Sequence, residues 1–260
     1  MTRLRLVSYL APGFPAALFQ LVAERLNAEL TLIETTSGPP PGEDPFADGT
    51  FDIGWICSTS FVDLALRAAE PSVVLTGIGW TPRDDDSAGR PVYFGDLAVR
   101  CTSPVRGLAD LRGARIGCND PVSLSGHYAV RFAIDDLGED PDSFADLIFT
   151  GGHRRSLDAV LAGEVDAAVV DSIVLTSCRS VDPAMQSLRV VQRLGPWPVQ
   201  PLVARADLNE VEISRIRRVL LELNEDPIVL AALKDAALVG FVPTAADHYG
   251  IVRSAMQRVR

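Results

Sequence analysis

ARIGCNDPVSLSGHYAVRFAIDDLG, residues 114–138, reads as a strand, a turn and a helix in that order. The apolar run ends at Cys118. Asp120-Pro121 then breaks it, because proline donates no backbone N–H and holds its predecessor extended. Ser123, Ser125 and Gly126 open a segment whose apolar face includes Val130 and Ile134, spaced as one side of a helix requires. The pattern returns at LIFTGGHRRSLDAVLAG (147–163), a strand and a helix, followed by the strand VDAAVVDS (165–172). Strands that alternate with helices predict an α/β fold with parallel strands.

Upstream, RLRLVSY (3–9) is a first strand, and FPAALFQLVAERLNA (14–28) carries Leu18, Leu21, Val22 and Leu26 at helical spacing. LTLIET (30–35), the turn-rich SGPPPGEDPFADG (37–49), the strand FDIGWI (51–56), the helix FVDLALRAA (61–69) and the strand SVVLTGIGW (72–80) follow. TPRDDDSAGRP (81–91) is a solvated loop, its acidic triplet a surface feature rather than a metal site. PVYFGDLAVRC (91–101) is long enough to cross between two lobes, and LRVVQRLG (188–195) and VQPLVARADL (199–208) read as strands returning to the first. VEISRIRRVLLEL (211–223) is an amphipathic helix. The expectation is one discontinuous lobe over 1–97 and 198–260 and an inserted lobe over 98–197. Hinge strands fall near 92–101 and 189–204, and each lobe is a mixed, mostly parallel sheet flanked by helices. A ligand cleft then lies between the lobes at the carboxyl ends of strands.

The chain has 260 residues, 47% hydrophobic and 22% charged, with a net charge of −10. Such a charge leaves no basic stripe to neutralise phosphates, which excludes nucleic acid as partner. A small anion is compatible, since local dipoles act against a screened global field. Cys57, Cys101, Cys118 and Cys178 form no C-x-x-C pair or Cys/His cluster, so neither metal nor redox motif is expected. Cys57, Cys101 and Cys118 read as small buried hydrophobes. The first fifteen residues lack the apolar core of a signal peptide, so the chain as written is expected in the cytoplasm. If an export signal has been removed, it is expected outside the cytoplasm.

Three junctions carry candidate chemistry. A helix start has unpaired N–H groups and a partial positive charge, so Ser123, Ser125 and Gly126 suit an oxyanion. The alternative is that a serine only caps the helix. At TGGHRRSLDAV (150–160), His153 is read as a ligand contact. Arg154 and Arg155 oppose the helix dipole, through either an anionic partner in the cleft or solvation with Asp158 one turn on. Asp171 ends a strand, either pointing into the cleft or capping the next helix. In the first lobe Tyr9, Trp55, Ser58 and Thr59 sit at equivalent strand ends, Trp55 as pocket wall or as plain core. Trp197 lies near the return crossing.

Taken in order, DLRGARIGCNDPVSLSGHY, TGGHRRSLDAVLAGEVDAAVVDS, PWPVQPLVARADL and VGFVPTAADHYGIVR resemble the phosphate/phosphite/phosphonate-binding family. These are the solute receptors of phosphonate-type ABC importers. The resemblance covers nearly the whole chain and implies a type II periplasmic-binding-protein fold. It implies that Ser123, Ser125 and Gly126 grip phosphonyl oxygens and that His153 and Asp171 join them. The expected partners are a small, anionic ligand and an ABC permease, with the protein monomeric, no cofactor and no catalysis. The chain departs from the family at Arg154, where members carry an acid, and at His127, where an aromatic residue is common. A cytoplasmic enzyme on the same fold, of the menaquinone-pathway type, and a cytoplasmic ligand sensor are the alternatives.

Overall fold

The computed structural model describes residues 3–10, 13–66 and 68–259. The first sheet takes β1 (Leu4–Ser8), β2 (Ala28–Leu32), β3 (Ile53–Trp55), β4 (Val73–Leu75) and, much later in the chain, β11 (Leu202–Arg205). Their order is β2-β1-β3-β11-β4, with β1 parallel to β2 and β3, and β11 antiparallel to its neighbours. The second sheet takes β6 (Val92–Arg100), β7 (Arg115–Cys118), β8 (Asp146–Phe149), β9 (Ala167–Asp171) and β10 (Leu188–Pro198), in the order β10-β6-β9-β7-β8. Both sheets are mixed, each with two parallel and two antiparallel pairings. A two-stranded ribbon joins β5 (Ile78–Pro82) to β12 (Leu238–Pro243).

The helices cover both sheets. The first is α1 (Ala16–Leu26), ended by Asn27 in the left-handed conformation, and α2 (Ser58–Phe61) runs directly into a π-helical turn over Val62–Leu66. The end of the helix expected over 61–69 includes position 67, outside the described residues. In the second half come α3 (Ala129–Asp136), preceded by a π-helical turn over Leu124–Tyr128, then α4 (His153–Ala162) and α5 (Ser172–Val181). The chain closes with α6 (Glu210–Glu222), α7 (Pro227–Asp235) and α8 (Gly250–Arg258).

Four readings change. The strand expected over 72–80 is two, β4 and β5, separated at Gly77, whose φ of +80° turns the chain. The strand at 188–195 does not return to the first lobe. It extends to Pro198 and pairs along all of β6, so the return is made only at β11. Cys101 is exposed, beyond the end of β6, whereas Cys57 and Cys118 are buried. The acidic triplet is not all solvated: Asp84 and Asp86 bind Arg193.

One apolar cluster runs through both sheets, from Leu6 and Trp55 to Val169 and Phe132, so the lobes are packed shut. Trp55 stacks on Trp80 at 5.6 Å, and Phe14 stacks on Trp80 at 5.2 Å. The carboxyl ends of β1, β3, β7 and β9, at Ser8, Trp55, Cys118 and Asp171, converge on the seam.

Candidate functional site

A small cavity of about 20 Å³ lies at that seam, room for about one water molecule in this shut form. The first lobe contributes Tyr9, Phe14, Ser37 and Cys57; the second contributes Asn119, Ser123, Ser125, His153 and Asp171. Tyr93 of β6 and Gln200, just before β11, enter from the crossing segments.

On the second-lobe side the turn after β7 is built for close approach. Ser123 Oγ accepts from Gly126 N at 3.1 Å, capping the π-helical turn. A side chain at Gly126 has no room: its Cβ would stand 1.9 Å from Asn119 Oδ1 and 2.8 Å from His153 Cε1. Gly95 on β6 is needed for the same reason, since a Cβ there would meet Ser125 O at 2.6 Å. Asp171 caps α5, accepting from Ile173 N at 2.8 Å, and its other oxygen accepts from Gln200 Nε2 at 2.6 Å. Asp171 N donates to His153 Nδ1 at 3.3 Å, which leaves Nε2 as the donor of the neutral ring.

On the first-lobe side three groups reach across. Ser37 N and Oγ donate to Asp120 Oδ2 at 3.2 and 2.6 Å. Leu124 N donates to Cys57 Sγ at 3.0 Å, and Thr59 Oγ1 donates to Val122 O. These contacts lie between the inner cavity and an open groove of about 560 Å³ lined by Pro40, Glu43, Thr59, Val122 and His127.

Burial governs the electrostatics. Among the described residues no Lys or Arg lines the inner cavity. Desolvation pushes the Asp171 carboxyl up to about 7 and holds the His153 imidazolium down to about 3. It raises the Cys57 thiol to about 11 and the Tyr9 phenol to about 12. Anything bound here meets hydroxyls, amides and a neutral imidazole, not a cation. Such a cavity can hold a small anion by dipoles; among the described residues no hydroxyl or thiol hydrogen-bonds a histidine ring nitrogen, as an activated nucleophile would.

Residues 17–249 match the family described as the periplasmic substrate-binding protein of phosphonate ABC transporters. The chain belongs to this family. It is a family of binding proteins, not of enzymes. Solved structures agree on the fold. A binding protein component of an ABC phosphonate transporter from Pseudomonas aeruginosa is 16% identical, with a TM-score of 0.77 over 97% of this chain and 85% of that one. PhnD1 from Prochlorococcus marinus, solved with methylphosphonate, is 17% identical, with a TM-score of 0.75 over 98% and 97%. XAC2383 from Xanthomonas citri, solved with ATP, is 19% identical, with a TM-score of 0.75 over 100% and 98%. No protein of curated function matches the chain in sequence.

Of the positions singled out in this phosphonate-type receptor, Tyr9, Ser123, Ser125, His153 and Asp171 line the cavity together, with Gly126 behind them. The others lie elsewhere. Trp55 is core, between Phe19 and Trp80. Ser58 Oγ donates to Pro198 O at 3.2 Å, and Thr59 serves the seam. His127 is carried round by the π-helical turn into the outer groove, where Nδ1 lies 2.8 Å from Pro121 O and the ring meets Phe149 edge-on. Arg154 is held by Asp158 at 2.9 Å and Asp182 at 2.6 Å, outside the cavity.

The sequence reading missed Ser37, Tyr93, Asn119 and Gln200 as lining. Asn119 sits in the quoted turn itself. Gln200 is a single amide in the apolar run PWPVQPLVA, and a polar group so placed calls for a partner. Ser37 and Tyr93 have no such local mark.

Proposed function

We propose that this chain is the solute receptor of an ABC importer and closes on a small oxyanion of the phosphonate, phosphite or phosphate kind. The observation that carries the reading is the inner cavity between the lobes, where two serines, a neutral histidine and a helix start converge with no cation among the described residues. A ligand that touches both lobes favours the shut form over the open one, and a permease then has a shape to recognise. Ser123 and Ser125 donate to the oxygens, Gly126 leaves room for that approach, His153 donates from Nε2, and Tyr9 closes the wall. The family's periplasmic setting and an ABC permease as partner belong to the same reading, as do the lobe limits 1–97 with 198–260 and 98–197 and a monomeric receptor.

Calorimetric titration and thermal shift with methylphosphonate, phosphite and phosphate test it. At least one is expected to bind and raise Tm. Ser125→Ala with His153→Ala should weaken that ligand at least tenfold, about 1.4 kcal/mol. Silence with every one of these anions in the wild-type protein would end the oxyanion reading, and unchanged affinity in the double variant would move the site elsewhere.

A further inference from the structure

Two amide side chains in the cavity are held so that their carbonyl oxygens are left over. Asp120 is filled with donors: Ser37 N, Ser37 Oγ and Asn119 Nδ2 on Oδ2, at 3.2, 2.6 and 2.7 Å, and Val122 N on Oδ1 at 3.0 Å. That carboxylate therefore fixes which end of the Asn119 amide faces it. Asn119 is 3% exposed, and its Oδ1 has no partner. Gln200 makes a similar contact with the Asp171 carboxyl group: Nε2 lies 2.6 Å from Oδ2, the residue is 4% exposed, and Oε1 has no partner. The Tyr93 hydroxyl nearby is also buried and makes no hydrogen bond of normal geometry.

Unpaired buried acceptors are costly, and native structures seldom keep them. Two in one cavity, beside Asp171 and without a cation, ask for a guest that brings a hydrogen-bond donor. A fully ionised oxyanion brings only acceptors.

Building on the oxyanion reading above, we propose that the receptor selects a singly charged oxyanion that keeps one O–H, with Asn119 and Gln200 as the residues that read the proton. An O–H of the singly charged phosphonate, phosphite or dihydrogen phosphate donates to a leftover carbonyl, while its other oxygens accept from Ser125, Tyr93 and His153. A sulfonate of the same size and charge leaves both carbonyls unpaired. A site built for a hydroxyl discriminates far more strongly than one that only fits a shape.

The test is a titration of the wild-type protein at pH 6.5 with methylphosphonate, methanesulfonate and 2-aminoethanesulfonate. Methylphosphonate should bind at least a hundredfold more tightly than methanesulfonate, and Gln200→Met should shrink that ratio at least tenfold. If methanesulfonate binds as well as methylphosphonate, the proton-reading proposal falls and the oxyanion reading stands. If 2-aminoethanesulfonate binds where methanesulfonate does not, the donor is an ammonium and the O–H assignment falls. If no oxyanion binds at all, both fall together. Should Gln200→Met not fold, the wild-type ratio decides alone.

Discussion

Asp171 N donates to His153 Nδ1 at 3.3 Å, which couples two buried titratable groups that burial moves in opposite directions. The histidine is kept neutral down to about pH 3, while the aspartate keeps its proton up to about pH 7. An unfolded chain titrates them near 6.5 and 3.8.

Between about pH 3 and 6.5 the unfolded state holds a proton on His153 that the folded state lacks, so this group makes stability rise with pH. Over that range the slope reaches about 1.4 kcal/mol per pH unit. Between about 4 and 7 the folded state holds a proton on Asp171 that the unfolded state lacks, so this group makes stability fall as pH rises, with a similar slope. The two nearly cancel where they overlap. His153→Gln should unmask the aspartate, giving a receptor that loses stability from pH 4 to 7. Asp171→Asn should unmask the histidine and reverse the slope. Urea unfolding of both variants at pH 4.5, 5.5, 6.5 and 7.5 measures this; parallel profiles in the two would contradict it.

Asp120 takes its Ser37 contacts from the opposite lobe, so they exist only while the cleft is shut. Asp120→Ala should leave capture of methylphosphonate unchanged and speed its release, weakening affinity at least tenfold, about 1.4 kcal/mol. Stopped-flow fluorescence separates the two rates. A slower association with unaltered release would show that the contact is not a latch.

Arg193 on β10 gathers Asp96 from β6 at 2.8 Å and Asp84 and Asp86 from the loop after β5, and it lies 4.3 Å over the Phe94 ring. Asp96 is the most deeply buried of the three carboxylates, its side chain 6% exposed. Arg193→Met keeps the stem but leaves that charge alone, and should cost about 3 kcal/mol at pH 7.5. Lowering the pH should recover part of the loss, because burial raises the Asp96 carboxyl and protonation then removes the charge. A loss that is the same at pH 5 and 7.5 would assign the effect to packing alone.

Gly126→Ala should abolish binding without unfolding the protein, by pushing Asn119 and His153 out of place. Loss of binding with retained near-ultraviolet dichroism is the expected pair of results; full affinity for methylphosphonate in this variant would mean that the turn is not the grip.

Local patterning is what made the fold readable. Apolar strands broken by Asp-Pro and Gly-Gly turns marked β7, α3, α4 and β9, and the helix starts among them supplied Ser123, Ser125 and His153. Other elements had signals that went unread. Asp226-Pro227 is a side-chain cap followed by proline at the first helical position, and it begins α7. What was not legible depends on three-dimensional pairing. Leu188–Pro198 stays in the second sheet because its register follows β6. Arg154 fails to reach the cavity because Asp182, 28 residues away in sequence, holds it outside. His127 misses because a π-helical turn adds a residue to the repeat, and nothing in the SLSGHY sequence announces that extra residue.

Cys57 gives the molecule a clock. Its sulfur accepts a backbone N–H from the other lobe, and it is buried in this shut form. Cys101 stands exposed beyond the end of β6 and takes no part in the seam. An alkylating reagent would therefore count two things at once on the same chain: its own intrinsic rate at Cys101, and the fraction of time spent ajar at Cys57. The ratio of the two labels, read by peptide mass, is a measure of breathing that needs no engineered probe.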